Sequence, residues 1–148
     1  MLEGNVAPAR RGFVLAIVLL ALTAAGCGSS SSSSPGGAIQ GLYESLAANK
    51  VEEAAGYFSA RHLGQTSQAT QMQDYLRSVL TQAGMQLQQA GLAGVKIIDT
   101  RQDDPVATVT AEISLKDGRT RQVRYSMTKE DNGWKAVLHQ NNLGNLQQ

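Results

Sequence analysis

Apolar and polar positions along this chain follow three different rhythms. From Gly12 to Ala25 there is no rhythm at all, only an uncharged and mostly apolar run. From Ile39 onward apolar residues recur with helical spacing. Ile39, Leu42, Tyr43 and Leu46 fall at i, i+3, i+4 and i+7, which makes one apolar stripe. Asn49-Lys50 interrupts it, and Val51, Ala54, Ala55 and Phe58 begin a second short helix. A loop around Gly64 leads to the longest predicted helix, from Gln68 to Ala90, with a stripe of Met72, Tyr75, Leu76, Val79, Leu80 and Leu87. After Gly91 and Gly94 the period changes from 3.6 to 2. Val95 to Ile98 reads as a first strand. Ala107, Val109, Ala111, Ile113 and Leu115 then alternate with polar partners, as do Val123, Tyr125 and Met127. Trp134 to His139 is the last strand. Helices followed by an antiparallel meander predict an α+β domain with helices covering one sheet face.

Register follows from the turns, because a slip of one residue moves every side chain to the other face. With Gly118 as the left-handed residue of a three-residue loop, Leu115 pairs with Arg119. Ala111 then faces Val123, Val109 faces Tyr125, and Ala107 faces Met127. Asn132-Gly133 is a strong two-residue hairpin signal, which would pair Asp131 with Trp134 and Met127 with Leu138. In that register Val137 and His139 lie on the outer face. A three-residue loop would instead bring His139 inside, opposite Tyr125.

The N-terminal run has its own chemistry. At 14 residues, Gly12–Ala25 is shorter than the roughly 20 that a helix needs to span the hydrocarbon core. Arg10-Arg11 before it and small residues after it have the order of a secretory signal. Those small residues end at Cys27, in Leu22-Thr23-Ala24-Ala25-Gly26-Cys27, which resembles the lipobox of bacterial lipoproteins, with Ala24 where leucine is usual. The resemblance implies cleavage before Cys27, acylation of its sulfur and amine, and anchoring in the lipid bilayer. Because this is the single cysteine, it cannot form an internal disulfide, and lipid attachment accounts for it. Two acyl chains anchor stably at roughly 0.8 kcal/mol per buried methylene, whereas one holds only marginally. Gly28, rather than aspartate, implies the outer membrane in a Gram-negative cell, and in a monoderm the outer face of the cell membrane. Six serines, Ser29 to Ser34, then lie within a Ser/Gly tether with a reach of roughly 17–19 Å. Pro35-Gly36-Gly37 closes the tether. The organisation expected is a signal peptide over 1–26, the lipidated cysteine and tether over 27–37, and a domain over 38–148.

Charge narrows the partners. The chain has 13 Lys and Arg against 12 Asp and Glu, and Arg10, Arg11 and Glu3 precede the domain, which is therefore neutral. Neutrality gives no electrostatic basis for nucleic-acid binding. The local basic run Arg119, Arg121, Arg124 reads as a solvated sheet face. Two histidines and one cysteine offer no zinc pattern, and no phosphate loop, nucleophile elbow or calcium loop is present in the sequence, so no cofactor is expected.

Tyr43-Glu44-Ser45-Leu46-Ala47, with Glu53-Ala54-Ala55-Gly56-Tyr57-Phe58-Ser59, resembles the opening helices of nuclear transport factor 2-like proteins. So does the stretch from Val106-Ala107-Thr108-Val109-Thr110 through Lys116-Asp117-Gly118 to Asn132-Gly133-Trp134-Lys135. The resemblance extends to bacterial lipoproteins with a cystatin-like domain of unknown function. It implies a cone: a curved antiparallel sheet wrapped around a long helix, with a pocket at the open end. Catalytic members place an Asp, His or Tyr inside. Here the inward-facing candidates for a ligand pocket are Tyr43, Tyr57, Tyr75, Tyr125 and Trp134. Asp99, Asp103 and Asp104 read as solvated carboxylates in the connection before Pro105. The favoured reading is an envelope lipoprotein whose cone, without catalysis, binds a small apolar molecule or another envelope protein. One alternative is a small isomerase or dehydratase using His139 or His62 with a tyrosine such as Tyr125. The other is a structural protein that pairs with a second copy as a homodimer.

Overall fold

The computed structural model describes residues 31–61 and 67–147. Cys27, the expected signal segment and His62 lie outside the described residues. Ser31–Ser33 forms a single 3₁₀ turn, followed by α1 (Pro35–Ala47), α2 (Val51–Ala55), β1 (Phe58–Ser59) and α3 (Ser67–Ala90). Strands β2 (Leu92–Asp103), β3 (Val106–Leu115), β4 (Thr120–Glu130) and β5 (Gly133–Val137) come next, and α4 (Gln140–Gly144) ends the chain. The curved, open sheet has the order β1-β5-β4-β3-β2, antiparallel except for the short parallel pairing of β1 with β5. Phe58, expected on a helix, sits in that pairing opposite Ala136.

Helix α1 starts at Pro35, inside the stretch expected as tether. Ser34 has extended backbone, and its Oγ accepts the Gly37 N–H at 3.1 Å. Serine at the N-cap with proline at the first helical position is a helix start as much as a chain break. At the other end Asn49 adopts φ 58°. The Lys50 N–H bonds the Ser45 carbonyl and the Asn49 N–H bonds that of Leu46. That is a Schellman closure with asparagine in the left-handed position.

The four stripe residues of α1 are fully buried. This helix packs directly on β2, β3 and β5, while α3 lies against α1 and α2. The helix enclosed by the sheet is therefore the 13-residue α1, with the longer α3 outside it. The buried line of α3 runs through Leu76, Val79, Leu80, Ala83, Gly84 and Leu87. Ala83 and Gly84 add no bulk to the apolar pattern, yet they shift the centre of the stripe away from Tyr75. That tyrosine is 46% exposed, contrary to expectation.

The β3–β4 register is the expected one, with Ala111 opposite Val123, Val109 opposite Tyr125 and Ala107 opposite Met127. Gly118, at φ 88°, is the left-handed loop residue. The β4–β5 register differs from expectation by two residues. Glu130 pairs with Gly133 and Met127 with Ala136, so the loop is Asp131-Asn132. Neither loop residue has the positive φ that a type I′ turn requires. The positive φ, 114°, belongs instead to Gly133, the first residue of the strand. A β-carbon there would lie 2.6 Å from the Ser32 carbonyl oxygen, so glycine is what lets the Ser31–Ser33 turn seat on this hairpin. A shift of two preserves the faces. Trp134, Ala136 and Leu138 remain inside, and Val137 and His139 remain outward in the alternation.

Candidate functional site

A cavity of about 280 Å³ opens at the β3–β4 turn end of the sheet. Its walls are apolar side chains of α3 (Ala83, Leu87, Ala90) and β3 (Ile113, Leu115), with Leu146 beyond α4. The polar lining comes from Tyr43, Gln86, Arg119, Thr120 and Arg121. No carboxylate and no imidazole is among these lining residues.

Tyr43 forms the polar floor. Its hydroxyl lies 3.1 Å from that of Tyr125, and the rings meet edge to face at 6.4 Å. The Arg121 guanidinium lies near enough to the Tyr43 hydroxyl to favour its charged form, and Arg121 Nη2 donates to the Asn145 carbonyl at 2.7 Å. Burial is the main reason both phenols are pushed up, Tyr125 well above the usual tyrosine range and Tyr43 less so because Tyr125 and Arg121 favour its charged form. Both are therefore neutral at ordinary pH, and neither is poised as a base.

Arg121 is the residue that sequence reasoning missed. It sits opposite Ile113 in the ladder, on the same face as Val123, Tyr125 and Met127. The alternation that placed those three inside also places Arg121 inside. The signal was its odd-numbered position in β4, overridden by the habit of assigning arginine to solvent. Arg119 stands at the rim, its Nε 2.7 Å from Asp117 Oδ2. Asp117, pulled below the usual carboxylate range chiefly by the Arg119 backbone N–H, stays ionised beside it.

Of the five aromatic candidates only Tyr43 lines this cavity. Tyr125 lies one layer behind it. Tyr57 is buried between α2 and β1, and its carbonyl accepts the Ala136 N–H at 2.8 Å. Tyr75 is on the surface, bonded through its hydroxyl to Gln147. Trp134 is core, with Lys129 Nζ 5.8 Å from its ring centre. His139 lies away from the cavity and caps α4, its Nδ1 accepting the Asn142 N–H at 3.2 Å. Asp99 and Asp103 lie on β2 rather than in a connection, and both are exposed. Asp104 is in the two-residue turn after β2, where bonds from Lys129 and Gln102 hold its carboxyl below the usual range. Among the described residues no cluster of His, Cys, Asp and Glu has metal-binding geometry, and no helix is long and apolar enough to cross a membrane.

A second hollow, between α2, α3 and β1, is lined by Phe58, Ala60, Leu76 and Leu138. The charged Glu52 and Arg77 at its edge pair with each other at 3.5 Å.

No protein-family model and no curated protein matches the chain. A solved structure from Campylobacter jejuni, provisionally named an NTF2-like transpeptidase, does match. It superposes with a TM-score of 0.64 at 13% sequence identity, over 72% of this chain and 100% of that one. At that identity the match speaks for architecture and not for activity. Helices on a curved, unclosed five-stranded sheet, with a cavity at one end, are the nuclear transport factor 2-like fold.

Proposed function

We propose that the chain is an envelope lipoprotein, held to the bilayer through acylated Cys27, whose domain binds a small apolar ligand without transforming it. The observation that carries the binding reading is the lining of the cavity beneath the β3–β4 turn. Six apolar side chains, from Ala83 to Leu146, surround a volume near the lower end of small-molecule sites, which run roughly 300–1,000 Å³. The polar groups that line it are two guanidiniums, an amide, a hydroxyl and a neutral phenol. Acid–base chemistry needs a group of tuned pKa within hydrogen-bond reach of the proton it moves. Transpeptidation, the activity in the structural neighbour's name, needs a nucleophile activated by a base. Thr120 is the aliphatic hydroxyl in the lining, and no imidazole or carboxylate accompanies it there. This composition favours binding over transfer.

Ala90 tests the reading. It is half-buried at the cavity, where a larger side chain fills the opening with little disturbance of the core. Uncharged decanol is expected to bind the wild-type chain, and Ala90→Phe to weaken it about tenfold, the worth of displacing one or two buried methylenes. Equal binding by both would place the ligand elsewhere.

The anchor is tested separately. Cys27→Ser is expected to leave the domain folded and to remove the protein from the membrane fraction. A serine variant that sediments with membranes as completely as wild type would end the lipoprotein reading.

A further inference from the structure

We infer that the ligand of this cavity is a neutral molecule with an apolar body and one hydrogen-bond acceptor, a ketone, ester or amide carbonyl, which takes the hydroxyl hydrogen of Tyr43. The inference rests on the binding reading above and adds the polar group that the ligand carries.

Two phenols meet at the floor of the cavity, and one hydrogen bond joins them. Tyr43 Oη and Tyr125 Oη lie 3.1 Å apart, and the distance alone allows either to be the donor. Each phenol has one hydrogen to give, so this bond uses one of the two hydrogens and the other needs an acceptor elsewhere. Burial decides which is which. Tyr125 is 0% exposed and does not line the cavity, and among the described residues its hydroxyl bonds to Tyr43 alone. Were Tyr43 the donor, the Tyr125 hydrogen would be sealed in the core without an acceptor, an arrangement that native interiors avoid. Tyr125 therefore donates, and Tyr43 Oη accepts.

The Tyr43 hydrogen is then left for the cavity. Tyr43 and Arg121 both line it, and the Arg121 guanidinium lies near the Tyr43 hydroxyl, so the hydroxyl end of the ring is the end at the cavity. A guanidinium carries only donors and cannot take that hydrogen. Gln86 and Thr120 could accept it by chemistry, yet among the described residues no oxygen except that of Tyr125 bonds to Tyr43. The result is an O–H donor in a mostly apolar hollow, held from behind by Tyr125 and carried on a fully buried face of α1. A hydrocarbon seated against it strands the hydrogen, whereas an acceptor at that end of the ligand completes the bond. A carbonyl oxygen suits the place because it brings lone pairs and no further hydrogen in need of a partner. The volume of about 280 Å³ takes one aromatic ring or a short chain bearing that group.

The test compares two uncharged probes of nearly equal size and shape, acetophenone and isopropylbenzene, on the full chain. Both are expected to bind the wild type. Tyr43→Phe should weaken acetophenone about tenfold, a change on the order of one hydrogen bond, and leave isopropylbenzene within about twofold. Because that variant also removes the acceptor of the Tyr125 hydroxyl, the infrared carbonyl band of acetophenone bound to wild type gives a measurement that needs no substitution. The band should lie below its position in a hydrocarbon solvent, since a hydrogen bond weakens the carbonyl bond. Tyr125→Phe keeps the Tyr43 hydrogen and should leave the band displaced, whereas Tyr43→Phe should return it. A bound band at the hydrocarbon position, or one displaced equally in Tyr43→Phe, would mean that the carbonyl assignment is wrong while the apolar pocket stands. If neither probe binds, both the inference and the binding reading fall.

Discussion

Trp134→Ala is expected to lower the stability of the domain by about 3–5 kcal/mol, the range for deleting a large buried aromatic side chain. The ring is 2% exposed and belongs to the single hydrophobic core formed by α1, α3 and the inner face of the sheet. Lys129 Nζ lies over the ring, 5.8 Å from its centre, and would lose that contact as well. Domains of this kind have roughly 5–15 kcal/mol in total, so the variant would approach the threshold of folding. Because Trp134 is the only tryptophan, the midpoint of urea unfolding should be followed by circular dichroism rather than fluorescence. Trp134→Phe keeps much of the buried area and should cost markedly less. An alanine variant as stable as wild type would mean that the ring is not core.

Asn142→Leu should cost about 2–4 kcal/mol by a different route. The side chain is almost completely buried, and leucine is close to it in size, so the loss would not come from a cavity. Asn142 Oδ1 accepts the Ser126 N–H at 3.1 Å, while Nδ2 donates to the Ser126 carbonyl at 2.9 Å and the Val137 carbonyl at 2.7 Å. Strand β5 ends at Val137, so β4 runs past its partner there. The amide stands in for the missing strand, serving both backbone groups of Ser126 at once. Leucine leaves three backbone groups without partners, each costing about 1–3 kcal/mol if water cannot reach it. Chemical denaturation together with amide exchange at Ser126 would measure it. A loss below about 1 kcal/mol with Ser126 still protected would show that the amide is dispensable.

These two residues also mark what the sequence could and could not convey. Trp134 was legible as an inward residue because period-two alternation survives a register shift of two. The β3–β4 ladder was legible in full, since Lys116-Asp117-Gly118 determines the loop and both strands alternate cleanly. The β4–β5 loop was misplaced because Asn132-Gly133 has the composition of a type I′ turn. The glycine is required there for a different reason, the approach of Ser32. The Ser32 hydroxyl donates to the Asn132 carbonyl across 100 residues of chain, and no local pattern announces that approach. Asn142 is similar: its partners are 5 and 16 residues away, and an asparagine in a short polar helix looks like surface. The candidate cavity was half legible. Leu87, Ile113 and Leu115 of its walls lie on the predicted stripes, but of the aromatic residues expected to line it Tyr57, Tyr125 and Trp134 were absorbed into the core and Tyr75 lies on the surface. The larger core reflects simple competition, since a buried tyrosine or tryptophan removes more apolar surface from water than it would lining a wet hollow.

The antiparallel course of β4 gives the molecule a polarity. Its first residues, Thr120 and Arg121, border the cavity, and its last, Glu130, pairs with Gly133 beneath the Ser31–Ser33 turn. Eleven strand residues separate the two ends, about 35 Å at the usual rise. Three residues stand between Cys27 and Ser31, a reach of at most roughly 15 Å. A lipid on Cys27 would therefore hold the hairpin end toward the bilayer and turn the cavity mouth outward, into the aqueous compartment. A domain held that way would exchange its ligand with solution or with a passing protein, and the membrane beneath it would serve as a mooring rather than a source.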